Sequence, residues 1–211
     1  MGQGGPRADA VNRVTDRLSP IRLGRRAAVS VLRSLRLLRP RAVIDDDEHP
    51  ERLAVLEHVR GDRVLEVGCG PRKTSSSYIG LDLVPKGRLG TTGNAKGRPS
   101  QADVCGWGNA LPFATASFDC VVARHNLEHY IDLVDVLDEW ARVLSPAGRL
   151  VVVVPDEDRY PGRTVELDPT HHHSFNDRSL ARLLERLGWR LRTSGPCVDG
   201  WSILVAAERV E

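Results

Sequence analysis

The stretch from Arg63 to Asp82, RVLEVGCGPRKTSSSYIGLD, constrains this chain more than any other. Val64, Leu65 and Val67 form a short apolar run that ends in Gly68-Cys69-Gly70, and a second run, Tyr78-Ile79-Gly80-Leu81, ends in Asp82. Short β-branched runs bounded by turn residues read as strand, glycine turn, strand. Two glycines in three positions let the backbone turn sharply at the carboxyl end of the first strand and let a ligand come close to it. An acidic residue at the end of the next strand stands where a ribose offers its two hydroxyls. The stretch therefore predicts a nucleoside-binding corner.

The residues after Gly70 narrow the ligand. A dinucleotide fingerprint wants G-x-G-x-x-G, whose third glycine lets helix pack on strand, but the sixth position here is Lys73. A phosphate loop wants glycine directly before Lys-Thr, and Lys73-Thr74 follows Arg72. What remains is an acidic residue, Glu66, two before a lone G-x-G, with Asp82 ending the second strand. That pattern resembles motif I of the class I S-adenosylmethionine-dependent methyltransferases. Downstream, ALPFATASFDCVVARHNLEHYIDLVDVLDEWARVLSPAGRLVVVVPD is similar to the central stretch of the small-molecule members of that family: an LPF segment, an SFD-initiated strand, an H-x-LEH turn, a helix ending RVL-x-P-x-G and a strand ending in proline.

The resemblance, covering roughly Arg63 to Asp156, implies a Rossmann-like doubly wound α/β sheet of seven strands, mostly parallel with the last antiparallel, preceded by an amino-terminal helical extension. It implies S-adenosyl-L-methionine as cofactor, a small-molecule methyl acceptor, and a cofactor site drawn from Glu66, Gly68, Cys69, Gly70, Asp82, Leu83, Arg124 and His125. An acidic residue near the end of the third strand takes the adenine amine in this family. Here Asp103 lies eight before Leu111, further than usual, and Trp107, Gly108 and Asn109 occupy the nearer positions. Asp103 and a base stacked on Trp107 are both open. A domain division at 48/49 is expected, with the methyltransferase domain over 49–211.

With 211 residues and 41% hydrophobic content the chain can bury one sizeable core. No run of eighteen apolar residues occurs, which argues against a membrane span. Cys69, Cys105, Cys120 and Cys197 show no paired metal spacing and read as reduced thiols of a cytoplasmic protein. The net charge of +2 is too small to imply a nucleic-acid partner for the whole chain, but up to Arg41 ten arginines face only Asp9 and Asp16. Residues 21–38 carry apolar positions at helical spacing, including Val29, Leu32, Leu35 and Leu38. This basic amphipathic helix is read as a lid on the catalytic domain, or as a contact for a membrane surface or RNA. Residues 1–10, rich in Gly and Arg, are expected to lack fixed structure.

Pro50 to His58 reads as a short helix. Pro71 to Ser77 leaves room for two helical turns at most where the family places three, so the crossover is shortened, and Arg72 or Lys73 faces the methionine tail or solvent. VPKGRLGTTGNAKGRPSQ, with four glycines, is a loop, either a flap carrying Lys86, Arg88, Lys96 and Arg98 or a solvated segment. Ala102 to Cys105, Phe118 to Ala123 and Arg149 to Val154 are further strands; Asp132 to Val143 and Ser179 to Leu187 are helices; Trp189 to Thr193 and Ser202 to Glu208 form a closing hairpin.

Three histidines are candidates for chemistry. An oxygen nucleophile of high pKa wants a base, and His125, His171 or His173 suits that role at neutral pH, whereas an amine or acidic phenol needs none. HNLEH also matches the zinc-peptidase pattern H-x-x-E-H, but its first histidine stands at a strand end instead of on a continuous helix. In DPTHHHSF an extended chain points His171 and His173 one way and His172 the other. A metal would use His171 and His173 with Asp156, Asp158 or Asp168, yet no metal is expected. The rival classes are an RNA methyltransferase and a non-catalytic cofactor-binding module.

Overall fold

The structure, a computed structural model, describes residues 49–91 and 95–210. The amino-terminal extension and its basic amphipathic segment lie outside the described residues. In chain order the elements are α1 (Pro50–His58), β1 (Val64–Val67), β2 (Ile79–Asp82), β3 (Val104–Cys105), β4 (Phe118–Arg124), a 3-10 turn (Leu127–His129), α2 (Leu133–Val143), β5 (Leu144–Pro155), α3 (Thr164–Leu167), α4 (Asp177–Arg186), β6 (Trp189–Val198) and β7 (Ser202–Arg209). They build one seven-stranded sheet in the order β3-β2-β1-β4-β5-β7-β6. The pairs β3-β2, β2-β1, β1-β4 and β4-β5 are parallel, and β7 runs antiparallel to both β5 and β6. This is the Rossmann-like arrangement the motifs imply.

The central strands are apolar at nearly every position because both faces are covered. Alternate residues serve two cores. Leu65, Val121, Ala123, Val152 and Val154 pack with Leu137 and Trp140 of α2 and Leu180 and Leu184 of α4. Val64, Cys120, Val122, Val151 and Val153 pack with Val55 of α1 on the other side. The helices that cover the first face begin on side-chain caps: Asp132 accepts from the Val134 and Asp135 amides, and Asn176 and Ser179 form a reciprocal capping box.

Two boundaries differ from expectation. Ser145 to Gly148 does not separate helix from strand: Leu144 already pairs with Phe118 and Arg149 with Cys120, so the extra residues bulge out of a strand that begins at Leu144, with Ala147 at φ 57°. β3 is only two residues long, although the Asp103 amide donates to the Gly80 carbonyl at 2.7 Å. The segment 71–77, where the sequence left room for two turns at most, contains no helix, and 83–91 contains none, as its glycines predict. No described helix is long and apolar enough to cross a membrane.

Trp140 ties α2 to the loop after β3: its ring is wholly buried and its Nε1–H donates to the Gly108 carbonyl at 2.9 Å. Trp140→Phe leaves that carbonyl without its donor and is expected to lower the unfolding free energy by about 1–3 kcal/mol. Urea denaturation checks this, and an unchanged midpoint would contradict it.

Candidate active site

The site lies at the carboxyl ends of β1, β2 and β4, where open α/β sheets bind their ligands. Gly68 turns the chain there at φ 68°, and a side chain on it would meet the Asn126 amide group at 2.2 Å, so only glycine lets β1 and β4 end this close together. Asp82, at the end of β2, accepts from the Gly70 amide at 2.9 Å and the Val84 amide at 2.8 Å. These bonds fix the carboxylate and leave further lone pairs for a ligand.

Two cavities open at this corner, and Gly68, Asp82, Leu83, Asn126 and His129 line both. The smaller, about 470 Å³, is walled by Trp107, Gly108, Asn109, Tyr130 and Ile131. Trp107 is 63% exposed, so an aromatic face is offered to whatever enters. The larger, about 1380 Å³, runs from Glu66, Cys69 and Gly70 past Arg124 and His125 to Pro155, Tyr160, Leu167, His171 and Trp201.

Glu66 lies beneath the corner. It is 1% exposed in an otherwise apolar strand, and its carboxylate accepts from Thr74 N at 2.6 Å, Thr74 Oγ1 at 2.8 Å and the Arg124 guanidinium at 3.2 Å. Burial pushes its pKa up, and Arg124 and Thr74 pull against that. Arg124 also donates to the Arg72 carbonyl.

Asp103 is drawn elsewhere. Its carboxylate accepts from Gly80 N at 2.9 Å, Lys73 Nζ at 2.6 Å and Lys86 Nζ at 3.2 Å. The Gly80 amide and the two lysines hold its pKa down at about 2, and it faces the larger cavity, not the one walled by Trp107. The same pairing occupies Lys73 and Lys86, both read from the sequence as candidates for anionic groups.

The three candidate histidines part company. His125 adopts a left-handed backbone, φ 49°, at the end of β4. Its Nε2 meets Glu51 Oε1 at 2.9 Å, and its Nδ1 stands 3.7 Å from Glu128 Oε1. Burial would lower its pKa, but the two carboxylates outweigh burial and raise it to about 10. Both ring nitrogens of His125 thus face carboxylates at the cavity wall, an arrangement that favours the imidazolium over a free base. His173 lines neither cavity: its Nε2 is 3.1 Å from the Ile131 carbonyl. His171 does reach the larger cavity, 12% exposed, with a pKa lowered by burial.

Two acidic residues not named among the sequence candidates complete this wall, although one of them lies inside the HNLEH stretch. Glu51 on α1 is 4% exposed and accepts from Ser202 Oγ at 2.6 Å as well as from His125. Burial alone would raise its pKa, yet His125 and Ser202 bring it down to about 2. Glu128 is 1% exposed and neither carboxylate oxygen has a hydrogen-bond partner. The H-x-x-E-H pattern pointed to Glu128, whereas nothing local in the sequence marked Glu51.

A family model for the methyltransferase domain matches residues 33–194, and the chain belongs to that family. Among curated relatives, it is 32% identical over 140 residues to a Mycolicibacterium smegmatis protein named "Probable S-adenosylmethionine-dependent methyltransferase/", a match covering 62% of this chain and 53% of the relative. It is 38% identical over 112 residues to the demethylmenaquinone methyltransferase of Renibacterium salmoninarum, covering 51% and 47%. The chain spans about half the length of these relatives. A S-adenosylmethionine-dependent methyltransferase from Aquifex aeolicus shares the fold, with TM-score 0.55 and 15% identity over 86% of this chain and 98% of that one. The chain thus carries a class I S-adenosylmethionine-dependent methyltransferase domain, an enzyme domain whose cofactor is S-adenosylmethionine.

The site yields two expected outcomes. Glu66→Ala strands Arg124 as a largely buried charge and should cost about 3–5 kcal/mol of stability by denaturant titration, where a loss below about 1 kcal/mol would show the pair to be dispensable. Burial pushes the Cys69 thiol up to about 12 and the Cys120 and Cys197 thiols to about 11, while Cys105 is exposed. A thiol reagent at pH 8 should modify Cys105 rapidly, the half-buried Cys197 more slowly, and the buried Cys69 and Cys120 only as the domain opens. Rapid modification of Cys69, mapped by peptide mass, would contradict the buried corner.

Proposed function

We propose that the domain transfers a methyl group from S-adenosylmethionine to a nucleophile on a small molecule. The observation that carries this reading is that two cavities share Asp82 in their lining: one, about 470 Å³, has room for a nucleoside, and the other, about 1380 Å³, has room for a second molecule. In this reading Asp82 holds the ribose hydroxyls and Trp107, Gly108 and Asn109 enclose the adenine. Gly68 and Gly70 let the chain pass close to the ligand, and Arg72 and Arg124 stand nearest the amino-acid tail. Asp103 orders the loops from its ion pairs with Lys73 and Lys86 instead of touching the base.

S-adenosylmethionine supplies an activated methyl on a sulfonium, so the protein's work is chiefly to align the nucleophile and exclude water. Tyr160 and Trp201, with ring centroids 4.8 Å apart, form an aromatic wall of the larger cavity, and Pro155 and Leu167 extend it. Such a surface suits an apolar or aromatic acceptor body, and the relatives named demethylmenaquinone methyltransferases support an acceptor of that size. Glu128, His129 and His171 present the polar groups to its reacting end. Because Glu51 engages His125 Nε2, His125 braces the cavity floor and His171 is the histidine that meets the acceptor.

Isothermal titration with S-adenosylmethionine tests the cofactor site, with NAD as control. Asp82→Ala, in a protein that still folds by circular dichroism, should weaken binding by about 1–3 kcal/mol, roughly 5- to 150-fold. Unchanged affinity would refute the ribose assignment.

A further inference from the structure

We propose that Glu128, His129 and His171 bind one divalent first-row transition-metal ion on the acceptor side of the cleft. One ligand atom from each of these three residues lies within 4.8 Å of the other two. Ligands on a zinc-like ion, about 2.0–2.2 Å from the metal, stand roughly 3–3.5 Å apart, so a small inward movement of side chains closes the site.

Three further features fit an ion at this point. Glu128 is 1% exposed and neither of its oxygens is hydrogen bonded, an arrangement that is strongly unfavourable unless a cation or donor is supplied. The His125 Nδ1 stands 3.7 Å from it, and the same ring is held through Nε2 at 2.9 Å by Glu51. Asp168, with Oδ2 3.9 Å from His171 Nε2, brings a second carboxylate to the spot.

The histidines are also prepared for ligation. Thr170 Oγ1–H donates to Asp168 Oδ1 at 2.7 Å, so the Thr170 hydroxyl can only accept from His129 Nδ1, which stands 3.0 Å from it and 3.1 Å from the Thr170 carbonyl. Nδ1 of His129 is thereby the protonated nitrogen, leaving the Nε2 lone pair for a metal, with a carbonyl and a carboxylate-anchored hydroxyl behind it as metal-bound histidines require. His171 Nδ1 is buried without a partner. The backbone holds the two sequence segments together: His172 N and His173 N both donate to the Glu128 carbonyl, at 2.9 and 3.3 Å. Two imidazoles and one carboxylate suit zinc, cobalt, iron or manganese better than calcium or magnesium. In the reading of the domain as a small-molecule methyltransferase, on which this last point rests, the ion's open positions take an acceptor oxygen and lower the pKa of its hydroxyl.

The site differs from the one the sequence suggested. His173 lies at the Ile131 carbonyl, Asp156 pairs with Arg159 at 2.8 Å and Asp158 accepts from Asn176 at 3.3 Å, so these three are not brought to His171.

The test is titration of the chelator-stripped protein with Co²⁺, followed by its visible absorption and by competition with Zn²⁺. One equivalent is expected to bind. Glu128→Gln and His171→Ala should each weaken binding by at least the roughly 10- to 100-fold that loss of even a supporting group costs. The double variant His172→Ala/His173→Ala should bind as the unsubstituted protein does. Loss of binding in that double variant would mean that the histidine run itself collects metal, and the proposal falls; it falls equally if no equivalent binds, or if Glu128→Gln and His171→Ala leave binding unchanged. Circular dichroism and S-adenosylmethionine titration of the same variants show whether they fold and keep the corner, so failure of the metal site is separable from failure of the methyltransferase reading.

Discussion

The buried pair of Glu66 and Arg124 is the interaction on which the corner depends. A carboxylate inside an apolar strand is tolerated only when its lone pairs are filled and its charge is met. Thr74 fills two positions and Arg124 meets the charge. Arg124 then reaches on to the Arg72 carbonyl, so β1, the loop after it and the end of β4 are held by one group of polar bonds. Elsewhere in the loop Arg52 Nε donates to the Thr74 carbonyl at 2.7 Å and Gln101 Oε1 accepts from Lys73 N at 2.9 Å. A crossover helix would satisfy its own backbone; the 71–77 segment cannot, and these side chains do it instead.

That substitution of side-chain bonds for a helix shapes the cleft. A helix after β1 and another after β2 would cover the sheet face on which α1 lies. Loops in their place leave Ile79 and Leu83 substantially exposed and open the larger cavity beside Asp82. The same change explains Asp103. With no helix to carry Lys73 away, its ammonium stays beside β2 and captures the carboxylate that the sequence offered to the adenine.

Sequence period and turn residues made the sheet legible, because buried parallel strands are short apolar runs with few alternatives. Gly68, Gly70 and Asp82 were legible for a different reason: glycine at positive φ and acid at a strand end are demanded by local geometry, while Glu66, inside β1, was marked only by the resemblance to the family's motif I. The acceptor side was not legible to that degree. Its groups come from α1, the turn after β4 and the loop before α4, and which of three adjacent histidines faces inward depends on the hydrogen bonds from His172 and His173 to the Glu128 carbonyl. Glu51 looked like an ordinary first-turn acid on a helix whose role was to lead into β1. Only the long-range contact with His125 and Ser202 makes it part of the site.

His125 shows how these parts constrain one another. A left-handed backbone at a non-glycine residue costs about 1–3 kcal/mol and persists only where its surroundings hold it. Here the amide donates to the Val153 carbonyl at 2.8 Å while the ring is fixed by Glu51. Glu51 in turn accepts from Ser202, at the start of β7, so one buried carboxylate joins α1, β4 and β7 at the carboxyl edge of the sheet. The strain at His125 is the cost of turning its ring toward α1. The consequence is that the chain leaves β4 in a 3-10 turn that presents Glu128 and His129 to the cleft, which a helix continuing straight from the strand would carry past it.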